Sequence, residues 1–133
     1  MQAYELKQLK EQKVSALISK CRMFFAFSNA QFDENKTPLE PDEKYVNLGA
    51  GAFIPKNSLQ PWKDGLVEIN QWEKDQVKDR KLRADLILYE LHNHECFYTG
   101  DVSAAMSALG PDFTTEEVTE IYRKNFKTAT ADL

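Results

Sequence analysis

The fifteen residues from Leu82 to Cys96 read LRADLILYELHNHEC, and the fold of this chain turns on them. Leu86, Ile87, Leu88, Tyr89 and Leu91 cover most of a helical circumference, which predicts a helix with protein on nearly every side. Glu90 interrupts the apolar run. A buried carboxylate must find a partner or neutralise, and His94 stands four residues on, one helical turn away. The same stretch holds both histidines of the chain, His92 and His94, together with Cys96.

Three readings compete for HNHEC: a metal site, a catalytic dyad and the polar end of a buried helix. In a helix, residues two apart point about 200° from one another, so His92 and His94 cannot share an ion. His92 and Cys96, four apart, come nearest to a ligand pair, with Glu95 on that side. An extended chain would instead turn His92, His94 and Cys96 to one face. Zinc needs three or four protein ligands, and a further one would have to be Cys21 or a distant carboxylate. The helix leading into the motif decides against the ion, so no metal and no cofactor are expected. The letters HNH do not make a nuclease, whose histidines spread over tens of residues.

Glu90 with His94 is then either an acid/base dyad in a pocket or a contact that locks the helix end. The locking contact is the favoured reading. The dyad survives as the alternative: a small enzyme with an acid–base or metal-assisted site around Glu90, His94 and Glu95. Asn93 and Ser28, Asn29 or Gln31 would line it.

Outward from this helix, Val14, Leu17, Ile18 and Cys21 recur at helical spacing and predict a helix from Tyr4 to about Arg22. MFFAFS loses that period and reads as a short buried strand. Ser28 and Gln31 form an S-x-x-Q capping signal for a short helix. KTPLEPDEK is a loop, and YVNLGAGAFIP is a second extended stretch that Gly49 and Gly51 bend or bulge. Asn57 or Ser58 can cap a helix with Pro61 in its first turn. EKDQVKDRK, polar but for Val77, is either an exposed stretch of a long helix or a break between two. Gly100 stops a helix and Asp101 caps the next; Gly110-Pro111 closes that one; Thr114 and Glu117 make a capping box for the last. The expected fold is a mostly helical α+β domain over residues 1–126, four or five helices on a two- or three-stranded sheet, with a frayed tail at 127–133.

Composition excludes several functions. Of 133 residues, 42% are hydrophobic and 29% charged, and the net charge is −4. An acidic chain gains little from phosphate neutralisation, so no nucleic-acid partner is expected. MFFAF is too short to span a bilayer, and the polar N-terminus offers no leader-like run, so neither membrane nor secretion is expected. Two cysteines far apart fit a reduced, cytoplasmic chain. LGAGAF lacks the third glycine and the Lys-Ser/Thr of a phosphate loop. SALGPDFTTEEV has the rhythm of an EF-hand linker, yet no calcium loop precedes it. Read as a helix-turn-helix, it would place glutamates where base contacts should begin.

The sequences FFAFSNAQF, LGAGAFIPK and YELHNHECFYTGD resemble a group of small hypothetical proteins from bacteriophages and gut-type bacteria. The matching residues are Phe27, Ser28, Gln31 and Phe32, then Gly49 and Gly51, then Asn93, His94 and Glu95. The resemblance implies a phage or prophage origin and brings no activity with it. The expected function is a phage-type accessory protein, a non-enzymatic module that binds a protein partner, with Ser28, Asn29, Gln31 and Asn93 as candidate binding residues.

Overall fold

The computed structural model describes residues 1–131. Among them are seven α-helices, one 3-10 turn and three strands, a mostly helical α+β fold. The contacts of the described residues form two compact units: residues 8–74, which carry the sheet, and residues 1–7 together with 75–131, which are mostly helical. Helices α1 (Ala3–Lys20) and α3 (Leu59–Gln76) have residues in both.

In the sheet unit, β1 (Phe24–Phe25), β2 (Tyr45–Gly49) and β3 (Ala52–Pro55) form an antiparallel sheet in the order β1-β3-β2. Successive strand residues face opposite sides, and the sheet uses this fully. Phe53 meets Phe24 in a stack with centroids 5.5 Å apart and meets Phe32 edge-on at 5.1 Å. Its neighbour Ile54, with no exposed surface, turns to Leu17, Cys21, Met23 and Ile69. The glycine-rich stretch is a hairpin turn with a register shift between Asn47 and Gly49, and Gly49, Ala50 and Gly51 all have positive φ. That requirement explains the composition of LGAGAF without any phosphate. Helix α2 (Asn29–Asn35) starts at Ser28, whose Oγ accepts from the Gln31 N–H at 3.1 Å. Gln31 Oε1 reaches one residue further back than a capping box requires and accepts from the Phe27 N–H at 2.8 Å.

The end of α1 was not legible in the sequence. Arg22 has φ 58, and Met23 N–H donates to Ile18 O across it, a helix stop usually made by glycine. The arginine sends its guanidinium onto Glu43 as a fork, both nitrogens at 3.1 Å from the two carboxylate oxygens. Glu43 has no exposed side-chain surface, and its oxygens also accept from the N–H groups of Glu40 and Asn57. Arg22 further donates to Pro38 O and to buried Ser58. Ser58, a candidate helix cap by sequence, is thus occupied as an arginine acceptor.

In the helical unit, EKDQVKDRK is a break. Helix α3 stops at Gln76, Val77 is buried, and Asp79 caps α4 (Arg80–Asn93) by accepting from Leu82 N–H at 2.9 Å. Helices α5 (Cys96–Thr99), α6 (Ser103–Leu109) and α7 (Thr115–Thr130) pack on α4. Leu82, Leu86, Ile87 and Leu91 are buried; the helix is less enclosed than its sequence suggests, because Tyr89 is exposed. Seven helices are described where four or five were expected; among them short α5 follows the polar letters HNHE and carried no signal of its own. Asp101 accepts from both the N–H and the hydroxyl of Ser103 at the start of α6. Thr114 and Glu117 form the capping box. Helix α7 runs through residues 127–130 of the tail expected to fray; residues 132–133 lie outside the described residues.

Two outcomes test these packings. At Gly51, an added Cβ would lie 2.4 Å from Phe27 Cε1, whereas at Gly49 it would meet nothing. Both alanine variants incur the left-handed backbone cost of about 1–2 kcal/mol. Chemical denaturation should show Gly51→Ala to be the more destabilised of the two, and equal losses would mean that Phe27 does not rest on Gly51.

Glu117 is held down to about 2 from 4.5, chiefly because the Arg83 side chain donates to it. A depressed carboxylate contributes stability above its unfolded value and loses it as pH falls through the folded one. Stability should therefore decline between pH 4.5 and about 2, with a shallower decline in Glu117→Gln. An unchanged acid profile in that variant would contradict the assignment.

Candidate functional site

The carboxylate that interrupts α4 is where its residue type demands a partner. Glu90 is 4% exposed. Its Oε2 lies 3.2 Å from His94 Nε2, the contact anticipated from the i, i+4 spacing. Its Oε1 lies 2.7 Å from Nζ of Lys7 in the first turns of α1. Lys7 also rests over the Tyr89 ring, 4.9 Å from its centroid. No local spacing relates Lys7 to Glu90; the one available signal was a lone buried acid in want of a cation.

Both oxygens of Glu90 are therefore engaged, which suits a contact that fastens the first turns of α1 onto α4 in the helical unit. A base that must collect a proton from a substrate needs an oxygen it can present. The half-exposed ammonium and imidazole keep the site in touch with solvent at its rim while the carboxylate sits inside.

The rest of HNHEC scatters. Helix α4 ends at Asn93, His94 caps it, and Glu95 adopts a left-handed conformation with φ 55 before α5 begins. His92 is exposed, with its ring 5.0 Å from that of Phe97. Cys96 is fully buried, and burial pushes its thiol above the ordinary value, away from the thiolate a metal requires. Asn93 is exposed. Among the described residues no group of three or more His, Cys, Asp or Glu is arranged to hold a metal ion.

Glu95 and His92 line a cavity of about 330 Å³ with Leu91, Phe97, Tyr98 and Ala129. Glu90 and His94 do not line it, so the carboxylates of the supposed pocket part company. Ser28, Asn29 and Gln31 lie in the sheet unit at the start of α2. There Ser28 and Asn29 border a groove of about 600 Å³ with Phe27, Phe32, Asn47, Gly51 and Phe53, while Gln31 holds the Phe27 backbone. Phe27 is 76% exposed, an aromatic that the sequence reading assigned to a buried strand.

Fold and site together define a small, mostly helical α+β protein in which a lysine and a histidine contact the two oxygens of one buried acid. It belongs to the family of unknown function DUF7659, whose model matches residues 6–130. No curated protein and no solved structure matches the chain. Among the described residues no helix is long and apolar enough to cross a membrane.

Removing one partner of the buried acid should cost about 1–3 kcal/mol. A double-mutant cycle between Glu90→Gln and Lys7→Met, and a second with His94→Gln, should each show coupling in urea denaturation. Strict additivity in both would mean that Glu90 is satisfied elsewhere.

Proposed function

We propose that this chain is a non-enzymatic protein-binding module, a phage-type accessory protein of the cytoplasm, and that it binds its partner through the groove beside Phe27. One observation carries the reading. Phe27 is 76% exposed, with its ring beside Gly51 and its backbone held by the N–H that donates to Gln31 Oε1. An exposed aromatic on a held backbone at a groove edge is the kind of residue that dominates interface energies once it is covered. Phe32 and Phe53 extend the apolar area, and Ser28, Asn29 and Asn47 supply a polar rim.

The non-enzymatic part rests on Glu90, whose two oxygens are taken up by Lys7 and His94. The cytoplasmic part rests on Cys21 and Cys96, both buried free thiols. The net charge of −4 argues for a protein partner over a nucleic acid. The phage setting rests on the resemblance of the F-S-x-x-Q-F and N-H-E stretches.

The test replaces Phe27 with a photo-crosslinking phenylalanine analogue and recovers the protein from its host. A single stoichiometric partner should crosslink at position 27. The unlabelled complex should lose affinity by about 2 kcal/mol or more in Phe27→Asp, with the melting temperature kept. A catalysed reaction abolished by Glu90→Gln in a folded variant would overturn the reading.

A further inference from the structure

The cavity of about 330 Å³ in the helical unit is a separate matter from the Phe27 groove. Its walls are Phe97, Tyr98, His92 and Leu91, and among the described residues its acidic side chain is Glu95. Among the described residues Glu95 makes no ion pair, although its backbone is pinned on both sides. Its N–H donates to His92 O at 3.1 Å, and its carbonyl accepts from Tyr98 N–H at 3.0 Å and Thr99 N–H at 3.1 Å. The left-handed backbone at φ 55 thus fixes the point from which the Glu95 side chain leaves the chain, beside Phe97 and Tyr98. Phe97 is itself held, stacked on Tyr122 with centroids 5.1 Å apart. Ala129 brings the last turn of the sixteen-residue helix α7 to the rim, the negative end of a helix dipole. Aromatic faces, an unpaired carboxylate and a helix C-terminus all favour a cation.

The same unit shows which cation completes such a set. The Arg83 guanidinium lies 4.0 Å over the Phe113 ring and forks onto Glu117. Ring, carboxylate and arginine are all present there. At Tyr98 and Glu95 an open ring and a carboxylate are present and the arginine is missing, while Phe97, stacked on Tyr122 and packed by His92, forms the floor. A planar guanidinium can stack on a ring and pair with a carboxylate at once, which an ammonium does less well.

We propose that this cavity receives the guanidinium of an arginine side chain presented by a partner polypeptide. Tyr98 is 76% exposed, so the cavity is too open to enclose a free small molecule, and the remaining contact area must come from the chain that carries the arginine. The proposal extends the protein-binding reading to a second surface.

The test titrates isotope-labelled protein with a short peptide of glycines around one arginine, and with the same peptide carrying neutral citrulline. The arginine peptide should produce saturable amide shifts at His92, Glu95, Phe97 and Tyr98. The citrulline peptide should bind weaker by roughly fivefold or more, as should Glu95→Gln and Tyr98→Ala protein with the arginine peptide. Both side chains are exposed or at the rim, and an unchanged melting temperature confirms the fold of each variant. Phe27→Asp should bind the arginine peptide normally, so failure at this cavity leaves the Phe27 groove standing, and the reverse. Absence of saturable shifts at these four residues, equal binding of citrulline, or full binding by Glu95→Gln each overturns the proposal.

Discussion

The sheet unit depends on one ion pair, the fork of Arg22 on Glu43. Glu43 has no exposed side-chain surface, so its charge is tolerable only because four donors converge on it: two guanidinium nitrogens and the N–H groups of Glu40 and Asn57. The guanidinium hydrogen bonds hold that carboxyl below its ordinary value. Because those donors come from the end of α1, the proline-rich loop and the 3-10 turn after β3, satisfying the carboxylate also fixes three chain segments. The left-handed backbone at Arg22 is the strain accepted for this. With the loop fixed, Tyr45 hydrogen-bonds to Thr37 O and stacks edge-on against Phe24. The sheet that carries Phe27 is framed by these contacts.

The helical unit repeats the logic with different parts. Glu90 is buried in α4 and divides its oxygens between Lys7 and His94, while Arg83 and Glu117 join α4 to α7 near its start. Buried ion pairs of this sort are weak sources of net stability and strong sources of specificity, since any other arrangement strands a charge. This is why the acid that looks most catalytic in the sequence is better understood as a positioning device. The groups left without an internal partner are the more telling ones. Glu95 stands on a held backbone beside Phe97 and Tyr98, and Phe27 stands on a held backbone beside Gly51, and neither side chain is covered.

Periodicity determined much of the architecture. The helical signal of α1 and α4, the capping letters of Ser28 and Thr114, and the bent hairpin of LGAGAF are all local properties; Asp101 binds Ser103 from one residue ahead of the N-cap Val102. Hydrogen bonds within three or four residues enforce them, and the sequence displays such bonds directly. The contact of Glu90 with His94 was legible for the same reason, being one helical turn long.

What needs chain segments to meet was not legible. Lys7 reaches Glu90 across 83 positions, and Arg22 reaches Glu43 across a proline-rich loop; no spacing rule connects either pair. Phe27 was assigned inward because aromatic residues cluster in MFFAFS, but the strand has two residues, and of the three aromatics in that stretch only Phe24 is buried while Phe25 and Phe27 stay outside. The residues of HNHEC fall apart because the helix stops at Asn93 and Glu95 turns left-handed, so that Cys96 goes into the core while Glu95 stays at the rim. The sequence by itself determined which segments would be helices and strands, because those are set by short-range hydrogen bonds and side-chain period. Only the tertiary structure decided which charges are neutralised and which aromatic faces remain open, because burial and pairing depend on neighbours brought from distant parts of the chain.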